Sequence, residues 1–170
     1  MVAMLDSSTL PTHMLNAASI HTSKHHSIEV CCAWGRSLTD GKLKYKIIGG
    51  DAVERDRVRN AINKWNSKLD GIEIIEIPNS GTDIEVNFVQ KAAKIQGYIT
   101  NSGEILKAVE AAQTVNNFDE SGFIINSITT VSRSAFGNTF NSDKIEQITE
   151  HEIGHALGLG MLILTILCLQ

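Results

Sequence analysis

Three residues late in the 170-residue chain, His151, Glu152 and His155, have the types and spacing of a metal site. On a helix, residues four apart stand one above the other on the same face, roughly 5–6 Å apart at Cβ, so both imidazoles can reach one ion. Zinc takes imidazole nitrogen at roughly 2.0–2.1 Å, and a catalytic zinc takes three protein ligands plus a water. Glu152 is then placed to face that water and accept its proton as general base, while zinc polarises a scissile carbonyl. A bare His-Glu-x-x-His arises by chance in about one in a few hundred chains of this length. Context must therefore decide between a site and an amphipathic helix carrying two incidental histidines.

The context is a helix. Asn141 or Ser142 can cap it, and Asp143 lies in the first turn, where the helix dipole favours an anion. Ile145, Ile148, Ile153, Ala156 and Leu157 then fall on an inward stripe.

The elements that must position this helix are also legible. Lys42 to Ile48 alternates cation and apolar residue, as a strand with one wet face does, and runs into Gly49-Gly50. Asp51 with Glu54 forms a capping box, and Val58, Ala61, Ile62, Trp65 and Leu69 make one helical stripe that Asp70-Gly71 should stop. Strands are expected at Ile72 to Ile77 and Asp83 to Val89, linked through Pro78-Asn79-Ser80-Gly81. Residues 91 to 110 suit a hairpin slightly better than a helix. Ala112 to Phe118 and Phe123 to Val131 form a clearer hairpin around Asp119-Glu120-Ser121-Gly122.

Composition excludes several classes. Fifteen Lys and Arg against nineteen Asp and Glu, a net charge of -4 and no basic cluster argue against a nucleic-acid partner. With 42% apolar and 20% charged residues, neither wholesale disorder nor a multi-span membrane protein fits. Three cysteines, two of them the neighbours Cys31 and Cys32, cannot build a disulfide framework, so the pair is expected as small buried residues opening the first strand region. Residues 1–27 show no period and are expected to be a loose arm. Its histidines (His13, His21, His25 and His26) lack metal-site spacing. No cationic, apolar leader opens the chain, whose first basic residue is Lys24.

His151 to Gly160 (His-Glu-Ile-Gly-His-Ala-Leu-Gly-Leu-Gly) resembles the active-site helix of the metzincin zinc proteases, and most closely the matrixin branch. The order of elements resembles that fold from about residue 30 to 160. The resemblance implies an α+β, zincin-like domain over 28–160: a twisted, mostly five-stranded sheet, one long packed helix and an active-site helix. It implies a zinc-dependent endopeptidase acting on polypeptides outside the cell, with His151 and His155 as zinc ligands, Glu152 as catalytic base and Gly158 as the turn glycine. Oligomeric state and calcium sites carry no signal.

Two features depart from the family. Counting its pattern from His151 puts the third ligand at Met161, and a thioether is a poor zinc ligand. No histidine lies between His26 and His151, so a second, structural zinc site is not supported. The uncharged tail 161–170 is read as a truncated or frame-shifted end, with a buried strand as the structural alternative. Ala156 to Leu169 is too short for a membrane span of about 20 residues. The alternative function is accordingly a catalytically impaired or inactive remnant that acts at most as a binding or structural domain, because the third ligand and the family's Met-containing turn are missing. The nucleotide sequence after the Gly160 codon tests the frame-shift: another frame should encode a histidine at once and a methionine-bearing turn later. Unrelated sequence in all three frames would remove it.

Overall fold

The computed structural model describes residues 19–22, 26–78, 81–91, 94–99 and 105–160. Its first elements are β1 (Ser19–Thr22), β2 (His26–Glu29) and a 3₁₀ turn at Arg36–Leu38. Next come β3 (Lys42–Ile48), α1 (Ala52–Asn66), β4 (Glu73–Glu76) and β5 (Ile84–Val89). A hairpin of β6 (Lys94–Ile99) and β7 (Ile105–Glu110) precedes β8 (Ala112–Phe118) and β9 (Ile124–Ser132). A two-stranded ribbon, β10 (Ser134–Ala135) and β11 (Asn138–Thr139), leads into α2 (Ser142–Ala156).

Five strands form one mixed sheet in the order β4-β3-β5-β9-β8. The first four run parallel, while β8 runs antiparallel to β9 and forms an edge. This is the expected α+β architecture. Alternation on each strand sends Leu43 and Tyr45, Ile74, Ile84 and Val86, and Val131 to the buried face. There they meet Val58 and Ile62 of α1 and Ile145, Ile148, Ile153 and Ala156 of α2 in a single core.

The capping box forms as the sequence predicts: Asp51 Oδ1 accepts from the Glu54 amide at 2.8 Å, and Glu54 Oε2 accepts from the Asp51 amide at 2.7 Å. The helix it opens ends at Asn66, one turn before Asp70-Gly71. The Asn66 side chain is engaged with both backbone groups of Ile74, at 2.9 and 2.8 Å, and Ser67 Oγ donates back to the Lys64 carbonyl. Local side-chain bonds of this kind compete with the helical ladder.

Near the start of the described residues β1 and β2 pair antiparallel with each other, with Ile20 opposite Ile28 in the register. Residues 1–18 and 23–25 lie outside the described residues. Cys31 is exposed and Cys32 half-buried, and both lie in a loop. Their sulfurs are joined to each other, which the adjacency of the two residues had argued against.

Ion pairs knit α1 to α2. Glu146 accepts from Lys64 at 2.7 Å and Arg57 at 3.0 Å, and Glu150 accepts from Lys64 at 3.0 Å and Lys68 at 3.2 Å. Lys64, then Arg57, hold the Glu146 carboxyl down to about 2, from an ordinary 4.5. A group whose folded-state pKa is depressed contributes stability above its unfolded value and loses it as pH falls through the folded value. The urea midpoint should therefore decline between about pH 4.5 and pH 2, and Glu146→Gln should flatten part of that decline. An unchanged slope in the variant would contradict this assignment.

Candidate active site

Asn141, not Ser142, caps α2: its Oδ1 accepts from the Lys144 amide at 2.8 Å. Three turns on, the helix carries His151, Glu152 and His155 against the sheet edge. The two imidazoles are half-buried and edge-to-face, with ring centroids 4.7 Å apart and the Nε2 atoms 3.1 Å apart. His155 Nδ1 lies 3.0 Å from the Leu159 carbonyl oxygen. A carbonyl only accepts, so Nδ1 carries a proton, and the Nε2 edge of the ring is turned toward His151. Burial, and secondarily the neighbouring His155, lower the pKa of His151 and favour its neutral, ligand-competent form.

Glu152, the residue between the two histidines in the motif, is only 7% exposed. Thr114 Oγ1, on β8, donates to Glu152 Oε2 at 2.7 Å and lies 3.1 Å from its backbone carbonyl. Asn116, two residues along the same strand face, donates to the His155 carbonyl at 2.9 Å. Both tryptophans of the chain also serve α2. Trp65 Nε1 donates to the Glu150 carbonyl at 2.7 Å, and Trp34 Nε1 to the Ala156 carbonyl at 2.9 Å. Sequence reasoning missed all four supports. The one available signal was polar Thr114 and Asn116 at period two with Ala112, on a strand face that has to pack.

The helix stops at a tight turn. Gly158 sits at φ +88°, and a Cβ there would lie 2.1 Å from the Cys32 carbonyl oxygen. The Gly158 carbonyl accepts from the Cys31 amide at 2.9 Å and the Cys32 amide at 3.4 Å, and Leu159 forms a bridge with Val30. Gly154 is constrained as well, since a Cβ would stand 3.1 Å from the Trp65 ring.

Among the described residues, no three His, Cys, Asp or Glu side chains are placed to hold one ion, so neither Cys31 nor Cys32 completes the pair. Position 161 lies outside the described residues. Gly158→Ala should destabilise the chain far more than Gly71→Ala. Both glycines have positive φ, but Gly71 has nothing within 4 Å of a Cβ. Thermal midpoints decide it, and equal losses at the two sites would show that the contact with Cys32 is unimportant.

Solved structures with detectable similarity include two of myroilysin. Both are 18% identical over 74% of this chain with a TM-score of 0.43, and the match covers 50% and 45% of those chains. Another is high choriolytic enzyme 1, a hatching enzyme zinc-protease from Oryzias latipes, the medaka fish. It is 18% identical over 75% of this chain and 48% of that one, with a TM-score of 0.38. The chain thus spans about half the length of these proteins. No curated protein matches it significantly. The matrixin profile matches residues 36–161, more than half of the chain and including the whole of α1, the five-stranded sheet and α2. The chain belongs to the matrixin family.

Proposed function

We propose that the chain is a zinc-dependent metalloendopeptidase, with His151 and His155 as zinc ligands and Glu152 as general base. The observation that carries this reading is the convergence of two Nε2 atoms 3.1 Å apart, one of them oriented by the Leu159 carbonyl. Two nitrogens bound tetrahedrally at about 2.0–2.1 Å stand roughly 3.3 Å apart, so the pair fits one edge of a zinc site. When bound, zinc supplies a Lewis acid that polarises a substrate carbonyl and acidifies water.

The chain's own residues do the rest. The Glu152 carboxylate accepts the proton of the attacking water, and its burial excludes bulk water that would compete. The edge strand β8, paired on one side by β9, lies against α2, and an extended polypeptide can add to a free strand edge through main-chain hydrogen bonds. A polypeptide substrate and an extracellular setting belong to the same proposal. No described helix is long and apolar enough to cross a membrane.

A second reading, an impaired remnant that at most binds, is favoured by one residue: Met161 occupies the position that the metzincin pattern gives to the third ligand. The two readings separate on zinc retained after dialysis and on peptide cleavage. The unmodified chain should hold zinc loosely and cleave slowly, and Met161→His should raise both. In that variant Glu152→Gln should keep the metal and slow cleavage about 100-fold or more, while His151→Ala should lose the metal. Tight zinc and proteolysis indifferent to Glu152→Gln would overturn the proposal.

A further inference from the structure

We propose that Thr114 is a positioning residue that holds the Glu152 carboxylate in its working orientation, through a hydroxyl relay running Thr129 to Thr114 to Glu152. The inference rests on the reading of Glu152 as general base and adds how that base is held.

The relay follows from strand register. Thr114 and Thr129 are direct cross-strand partners in the β8–β9 ladder, and alternation turns both toward α2. Their hydroxyl oxygens are 2.9 Å apart, and Thr129 is fully buried. Thr114 Oγ1 stands 2.7 Å from Glu152 Oε2.

Each hydroxyl has one proton to give, and an ionised carboxylate can only accept. The direction of the chain is therefore determined at its carboxylate end. Thr114 donates to Oε2, the shorter and charge-assisted bond, and Thr129 donates to Thr114. A threonine has one side-chain torsion, and in a strand its branching at Cβ restricts that torsion further. The oxygen that meets Oε2 thus comes from a stiff side chain on a paired strand.

The consequence is geometric. A glutamate on a helix end has three rotatable bonds, and burial alone does not choose among its rotamers. With Oε2 tied to β8, the carboxylate plane turns with the sheet edge and not independently of it. Register matters for the same reason, because a slip of one residue would replace the hydroxyl by Gln113 or Val115 on that face.

A double-mutant cycle on the full, metal-free chain tests the contact without any catalysis. Thr114→Val should lower the folding constant about tenfold when Glu152 is present, and less than about threefold in a Glu152→Ala background. Thr114→Ser, which keeps the hydroxyl, should restore most of the loss. Equal losses in both backgrounds, or no recovery with serine, overturn the proposal.

Peptide cleavage by the zinc-saturated chain supplies the functional arm. Thr114→Val should lower kcat about tenfold with KM and bound zinc unmoved, and Thr114→Ser should recover it. A loss confined to KM, or one that tracks loss of zinc, also overturns the positioning role. If Glu152→Ala leaves cleavage intact, the general-base reading fails by itself, and the folding cycle still decides whether Thr114 holds that carboxylate. Where cleavage is too slow to read, the cycle alone decides.

Discussion

The close approach of Gly158 to the Cys32 carbonyl is the contact on which the geometry of the site depends. A helix of fifteen residues ends in a left-handed turn that no side chain could occupy there. That turn brings the Leu159 carbonyl back onto His155 Nδ1, and the same loop anchors the segment 30–34 through the Cys31 and Cys32 amides. Trp34, next along that segment, closes the circuit with its indole bond to Ala156 and its bridge to Ile124 at the start of β9. The orientation of one imidazole is thereby referred to the sheet, through backbone bonds that a side-chain substitution elsewhere leaves in place.

A second constraint comes from the polarity of the core at its β8 end. The buried polar side chains of the described residues belong to β9 and α2: Ser127, Thr129 and Ser132 on the strand, and Thr149 and Glu152 on the helix. Buried polar groups are costly unless hydrogen-bonded, and Thr114, Thr129 and Glu152 meet that requirement through one another. The Ser127 and Thr149 hydroxyls have no partner among the described residues. The helix that carries the site is thus seated partly on hydrogen bonds, which constrain direction, and partly on Ile145, Ile148 and Ile153, which supply apolar burial.

What could be read from the chain, and what could not, divides by range in sequence. The spacing of His151 and His155, the caps at Asp51 and Asn141, and the alternation in Lys42 to Ile48 are local patterns, and each appears in the structure. Strand order, and with it the edge position of β8, needs contacts between residues far apart. So do the Thr114 bond to Glu152, the Asn116 bond to the His155 carbonyl and the two indole bonds to α2. Burial is the ordinary expectation for cysteine; Cys32 packs partly buried against the core, whereas Cys31 is exposed, its amide bound to the Gly158 carbonyl. The early end of α1 was hidden for a related reason: Asn66 suits a helix until Ile74 offers it two backbone partners.

The central claim is that the Nε2 atoms of His151 and His155 share one zinc ion. X-ray absorption at the zinc edge, on the full chain loaded with one equivalent, addresses it most directly. The account predicts nitrogen scatterers at about 2.0–2.1 Å with the outer-shell signature of two imidazoles, reduced to one by His155→Ala. A first shell of sulfur at about 2.3 Å, or an imidazole signal unchanged in that variant, would contradict it.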